Sequence, residues 1–239
     1  MARRRFFVDA VRGGMAELRG DDARHLTRVL RVEAGQRFEI SDSRSAYLAE
    51  IAEARGERVV FRVLEAIPSA EMPVRIWLLA ALIKFDRFEW MIEKATELGV
   101  ERIVPVETAR SEKGLLAAST KRGERWSRIA RESSQQSRRV RAPEIGSGVR
   151  LEIALQEAAD HRLWLEEATA PPLLRKVPAS PAGGESVALL VGPEGGWTEA
   201  ERGVAASTGW QAVSLGPQVL RAETAAIVAV GIVMNAWYR

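Results

Sequence analysis

The sequence contains no cysteine and only two histidines, His25 and His161, among its 239 residues. A disulfide framework, an iron–sulfur cluster and a cysteine zinc site are thereby excluded, and two isolated imidazoles argue against any metal centre. Lysine is scarce: it occurs at positions 84, 94, 113, 121 and 176 only, against 30 arginines. Long apolar runs are missing as well. No stretch approaches the roughly 18 residues of a membrane span, and Phe6-Phe7-Val8, which follows three basic residues, is too short for a signal peptide. The chain reads as a soluble, cytoplasmic protein without a membrane partner.

What is present suits a folded protein, because 46% apolar and 28% charged residues are enough for a full core in one large domain or two small ones. The net charge is only +3, but its placement is uneven: +1 over residues 1–72, +6 over 73–150 and −4 over 151–239. Between Lys121 and Arg141 there are 8 basic and 2 acidic residues. Arginine's planar fork suits phosphates and base edges, so the bias favours a nucleic-acid partner. An arginine-rich composition inherited from a GC-rich genome is the alternative.

Residues 1–67 carry short alternating segments such as Arg37-Phe38-Glu39-Ile40 and Val59-Val60-Phe61-Arg62-Val63-Leu64, broken by glycines. That pattern predicts a small β-rich domain, ending near residue 70. Within it, Asp21 to Arg31 reads as a short amphipathic helix with Leu26, Val29 and Leu30 on one face and Arg24, Arg28 and Arg31 largely off it. Pro68 and Pro73 bracket a linker, and a second domain is expected over 74–239. Val74 to Ile83 predicts a strand buried on both faces. Asp86 to Leu98 follows as a helix with a capping-box-like start at Asp86 and Glu89 and a stop at Gly99. Strands at 103–106, 163–165 and 187–191, alternating with helices, predict a parallel α/β sheet.

Chemistry concentrates late in the chain. Val187 to Val191 runs into Gly192-Pro193-Glu194-Gly195-Gly196, after which Thr198 and Glu201 are spaced as a capping box. Three glycines allow close backbone approach to a ligand, and Glu194 can accept hydrogen bonds from amines or hydroxyls. The spacing matches neither a dinucleotide-binding nor a phosphate-binding glycine loop, so phosphate cradling is unsupported. A second strand, Ala212 to Leu215, ends in Gly216-Pro217, and an apolar helix opens after Arg221-Ala222-Glu223. Two such strand-end loops separated by one helix can wall a single cleft. A plain tight connector, and an ordinary ion pair at a helix start, are the structural alternatives.

Leu190 to Gly196 together with Leu215 to Ala225 closely resembles the signature of SPOUT methyltransferases, in particular the RsmE-type ribosomal RNA uridine N3-methyltransferases. Phe85 to Val100 resembles that family's first catalytic-domain helix, Gln135 to Ile145 its basic segment, and His25 to Arg31 its N-terminal PUA-like RNA-binding domain. Five motifs in the right order cover nearly the whole chain. The resemblance implies an α/β trefoil-knot domain with a mostly parallel sheet behind a small β-rich PUA-like domain. It also implies a homodimer, S-adenosylmethionine as cofactor, and small-subunit ribosomal RNA or the 30S subunit as partner. Carried over by position, the cofactor residues are Leu190, Gly192, Pro193, Glu194, Gly195, Gly196, Leu215, Gly216, Pro217 and Leu220.

Methylation at uracil N3 requires loss of an imide proton and positive charge near the resulting anion. Arg221 is the candidate for that charge, with Glu223 orienting it and Glu194 accepting the proton directly or through water. RNA contacts are expected from Arg5, Arg28, Arg31, Arg110, Arg138, Arg139 and Arg141. The chain departs from the family at Gln135, where an acid is usual, and at Arg138, where glycine is usual. Glu112-Lys113-Gly114 also breaks the family pattern, so no catalytic lysine is carried onto Lys113. Two other functions fit the same motifs: a related enzyme that methylates a ribose 2′-hydroxyl, and a non-catalytic RNA-binding or ribosome-assembly factor.

Overall fold

Alternating apolar residues in the first 67 positions have one face to bury, and they do so as a six-stranded sheet. The computed structural model describes residues 4–68, 72, 74–167, 169–177 and 184–237. These fall into two units, the first made from residues of 1–71 together with 132–142, the second from residues of 72–131 and 143–239. In the first, β1 (Arg5–Phe7), β2 (Val11–Arg12), β3 (Met15–Arg19), β4 (Arg37–Ser41), β5 (Ala46–Arg55) and β6 (Arg58–Ile67) take the order β1-β4-β5-β6-β3-β2. Among the described residues of this sheet, β1 and β4 alone pair in parallel. Phe6, Leu18, Ile40, Ile51, Val59 and Phe61 point to the same side and form the core, as a period of two requires.

The helix expected from Asp21 to Arg31 is only partly α-helical. Gly20–Arg24 is a short α-helix, α1, and His25–Val29 continues as a π-helical turn. Leu26 is fully buried, but Val29 and Leu30 are exposed, contrary to the shared face that an α-helical spacing predicts. The wider turn rotates Val29 off the face of Leu26, and the chain leaves the helix at Arg31 with a φ of 49°.

Residues 132–142 belong to this unit through polar contacts rather than through sequence proximity. Gln135, fully buried, accepts from Arg4 at 2.6 Å and donates to Asp22 at 2.9 Å. Ser41 donates to the Val140 carbonyl at 2.6 Å. Arg5 lies opposite Glu39 in the β1–β4 register and pairs with it at 3.0 Å, while also donating to the Arg138 carbonyl. Arg138 has a φ of 58°, in the left-handed region where a glycine costs least.

In the second unit the sheet contains β7 (Arg75–Ala81), β8 (Arg102–Glu107), β9 (Glu144–Ile145), β10 (Val149–Arg150), β11 (His161–Leu165), β12 (Ser186–Val191) and β13 (Gln211–Val213). Its order is β10-β8-β7-β12-β11-β13, with β9 beside β8, and every pairing is parallel. The central strand β12 is buried along its whole length, which explains its continuous apolar run. The helices are α2 (Phe85–Glu97), α3 (Leu115–Ser119), α4 (Gly123–Gln136, of which 132–136 count with the first unit), α5 (Leu151–Ala154), α6 (Leu173–Lys176), α7 (Glu199–Ser207) and α8 (Ala222–Trp237). Val187, Leu189 and Val191 of β12 face a core that includes Phe88, Ile92, Trp126, Val230 and Val233. Ala188 and Leu190 face the opposite one, with Trp164, Trp197, Ala205 and Trp210.

Helix α2 ends at Gly99 as expected, with a φ of 97° there. Its start differs from the expectation: Lys84 is the N-cap and makes no side-chain capping bond. Glu89 instead accepts from two nitrogens of Arg125, each at 2.7 Å, and from Arg122 at 3.4 Å. Trp126 is buried against Phe85 and Phe88, with ring centroids 5.7 and 4.8 Å away. Among the described residues no helix is long and apolar enough to cross a membrane.

Removing one partner of a buried ion pair strands the other. Arg5→Ala is expected to lower the stability of the first unit by about 3 kcal/mol, whereas Arg28→Ala, at an exposed site, stays within about 0.5 kcal/mol. Urea midpoints followed by far-ultraviolet circular dichroism measure both.

Candidate active site in the second unit

The parallel sheet sets the position of the site. Because β11 lies between β12 and β13 and runs parallel to both, the three strands release the chain at the same edge, with Trp164 beside Leu190 and Leu165 beside Val213. Open α/β sheets bind ligands at such carboxyl ends. Residues 166–167, 192–197 and 214–221 leave together, and the start of α8 closes the group. Between them lies an open cleft of about 540 Å³, a volume that includes the solvent at its mouth.

Gly192, Pro193 and Gly196 line it from one loop, and Leu215, Gly216 and Leu220 from the other. The remaining four residues of the expected cofactor set lie outside the lining. Leu190 points to the opposite face of the sheet, as alternation along β12 dictates. Gly195 is turned toward Arg110, whose guanidinium donates to its carbonyl. Glu194 is drawn to Arg87, and Pro217 is exposed at the loop tip.

Several lining residues lie outside the loops singled out in the sequence: Leu165, Glu166, Glu167 and Trp197 among them. Residues 166–167 follow a strand that was legible, so the strand-end rule alone was enough to find them. Trp197 is the floor of the first loop. Its indole donates to the Leu165 carbonyl at 2.8 Å and stacks on Trp164 at 6.1 Å. Gly192 is needed beneath it, since a Cβ there would sit 2.9 Å from the indole ring.

The capping box at Thr198 and Glu201 is present. Glu201 does more than cap α7, because its second oxygen accepts from the Ala109 amide at 2.7 Å and so fixes the turn that follows β8. Glu166 is gripped by Arg202 at 2.6 and 3.0 Å, and this hydrogen bonding holds the Arg202 guanidinium above its ordinary pKa.

The charges near the mouth are arranged differently from expectation. Arg221 is exposed, and among the described residues no ion pair joins it to Glu223. The cation facing Glu223 is Arg87 of α2, with Nε 3.9 Å from Oε1; the same guanidinium pairs with Glu194. Glu223 is only 7% exposed, and its Oε2 is buried without a hydrogen-bond partner. Arg87 lies more than a hundred residues from both carboxylates in sequence, so no local spacing signals it.

The expected RNA-contacting arginines separate into two groups. Arg28 and Arg31 are exposed, as are Arg110, Arg138 and Arg141, while Arg139 is half-buried. Arg5 is the correction: it is buried in its pair with Glu39 and has no surface to offer. Arg138 also leans toward Glu39, at 3.7 Å, and Arg122 and Arg125 are held by Glu89, so part of the basic segment is spent on internal pairs.

Trp197 cannot retreat, because Trp164 backs it. Gly192→Ala is therefore expected to destabilise the second unit by about 1–3 kcal/mol and to shift tryptophan emission, both read in one thermal melt followed by fluorescence.

Comparison with known proteins agrees with this geometry. A family model described as an RNA methyltransferase domain matches residues 70–234, and one described as an RNA methyltransferase PUA domain matches 18–64. The chain is 29% identical to the ribosomal RNA small subunit methyltransferase E of Bacillus subtilis, across 96% of this chain and 95% of that one. It is 32% identical to the protein of the same name from Mycobacterium bovis, across 95% and 90%. The crystal structure of a ribosomal RNA small subunit methyltransferase E from Neisseria gonorrhoeae, bound to S-adenosyl methionine, superposes with a TM-score of 0.88 at 29% identity over 98% of each chain. The architecture is a SPOUT-like α/β domain with a parallel sheet and a β-rich PUA-like domain, and the chain belongs to the RNA methyltransferase family.

Proposed function

We propose that the protein is an S-adenosylmethionine-dependent methyltransferase acting on N3 of a uridine in small-subunit ribosomal RNA. The observation that carries this reading is the cleft at the joined ends of β11, β12 and β13, walled by the two loops whose motifs match the family. Its lining fits a sulfonium nucleoside. Leu165, Val191, Leu215 and Leu220 offer apolar surfaces for a flat base, loop amides and carbonyls offer partners for its edges, and Glu167 and Gln218 offer acceptors for hydroxyls and amines. S-adenosylmethionine, when bound, supplies the methyl group on a positively charged sulfur.

The rest of the chemistry falls to side chains of this chain. Arg221, exposed and without an ion pair among the described residues, lies next to two lining residues and is assigned to the negative charge that develops on uracil when N3 loses its proton. Glu194, half-exposed, is assigned to accept that proton directly or through water. Arg87 holds Glu194 in place and is itself drawn toward Glu223, so Glu223 acts on Glu194 through Arg87 and not on Arg221. The exposed arginines at 28, 31, 110, 138 and 141 are assigned to RNA phosphates. Val219 and Val228, apolar and exposed beside and along α8, support a homodimer, and a 30S subunit in the cytoplasm is the assigned partner.

The test is methyl transfer to small subunits prepared without this modification, with nucleosides analysed by mass spectrometry. N3-methyluridine is the expected product; a 2′-O-methyl nucleoside, or cofactor binding without any transfer, overturns the assignment. Arg221→Ala is expected to lower kcat by about 100-fold while the Kd for S-adenosylmethionine stays within about three-fold. Equal loss of both makes Arg221 a cofactor residue.

A further inference from the structure

We infer that the π-helical turn in the first unit is a wedge for unstacked, single-stranded RNA, with Val29 and Leu30 packing against base faces and Arg28 and Arg31 holding the adjoining phosphates. The inference rests on the reading of the protein as an RNA-modifying enzyme and gives that reading a substrate form.

The turn is firmly rooted. Leu26 is fully buried in the core, and the Thr27 hydroxyl donates to the Gly56 carbonyl at 2.6 Å, across the β5–β6 turn. The Leu30 amide reaches back to the His25 carbonyl at 3.0 Å, the long span of a π-turn, and the Val32 amide to Leu26 at 3.1 Å. From this fixed base the chain presents Val29 at 66% and Leu30 at 49% exposure, side by side. Arg31 then adopts a left-handed conformation that costs a non-glycine residue energy. An α-helical continuation would relieve the strain and return Val29 toward the face of Leu26. A π-turn and a left-handed arginine at one exposed apolar tip are features found where a surface has work to do.

Charge selects the occupant. Arg24 is engaged by Asp21 and Glu57, and Asp22 accepts from Gln135. Arg28 and Arg31 carry no ion pair among the described residues and flank the two apolar side chains directly, with Glu33 the next acid along the chain. An apolar tip between two free cations is complementary to bases bordered by phosphates. A second copy of the chain is the poorer fit, because four residues fall far short of the roughly 20–30 per side of a stable interface. Duplex RNA presents its bases edge-on inside a helix and offers such a tip no base face.

The experiment uses the full chain and a fluorescein-labelled, uridine-rich single-stranded RNA 12-mer, compared with the same strand in a duplex, at several salt concentrations. Val29→Ser with Leu30→Ser is expected to weaken single-strand binding about ten-fold, leave its salt slope unchanged and barely alter duplex binding. Arg28→Gln with Arg31→Gln is expected to flatten the salt slope by about 1.4. S-adenosylmethionine affinity stays at the wild-type value in both variants. Unchanged single-strand affinity in the serine variant overturns the inference, as does equal loss on single strand and duplex. A dimer lost in the serine variant, read by sedimentation, reassigns the tip to a second copy. If the wild-type chain fails to bind S-adenosylmethionine yet the serine variant still loses single-strand affinity, the enzymatic reading falls and the wedge stands.

Discussion

The parallel pairing of β11 with β12 on one side and β13 on the other is the constraint on which the cleft depends. Parallel strands must all end at the same edge, so three chain segments far apart in sequence leave the sheet within two strand spacings of one another. Trp197 converts that proximity into a fixed shape. It is stacked on Trp164 of β11, bonded to the Leu165 carbonyl and seated over Gly192, so the first loop is locked to the end of the neighbouring strand. Glu201 extends the lock to the turn after β8 through the Ala109 amide. The walls are thus held by the sheet and its tryptophans, and the loops themselves need no rigidity of their own.

Charge in this protein serves two ends, and pairing with a carboxylate separates them. Arg5, Arg125 and Arg202 are consumed by Glu39, Glu89 and Glu166, each fixing one element against another. Arg87 stands between the two uses: it draws together a carboxylate of the glycine loop and one at the start of α8, next to the cleft mouth. What is not held in such pairs is available to a polyanion, which makes the effective basic surface smaller than the composition of 121–141 suggests. Burial of Gln135 beside Asp22 and Arg4 also gives this position a structural use for an amide where the resemblance leads one to expect an acid.

Much was legible from local pattern, because local pattern is what strands, helices and turns respond to. The continuous apolar run at 187–191, the capping spacing of Thr198 and Glu201 and the glycine at 99 each specify their element through nearest neighbours and backbone sterics. The motifs around 192–196 and 215–221 marked the loops that wall the cleft. The left-handed backbone at Arg138 fits the glycine expected there.

Other features depended on what the chain folds against. Sequence periodicity placed Val29 and Leu30 with Leu26, but a π-turn anchored by Thr27 and Gly56 turned them outward. Sequence type made Arg5 a phosphate contact, but the register of β1 against β4 set it opposite Glu39. Adjacency paired Arg221 with Glu223, but packing of α2 beside α8 put Arg87 there first. By itself the sequence determined which segments are strands, helices and glycine-rich turns, since those follow from side-chain sterics and short-range hydrogen bonds. The tertiary structure alone decided which charges meet, which apolar side chains stay in water and which loops share a cleft, since strand register and helix packing join residues that no sequence spacing relates.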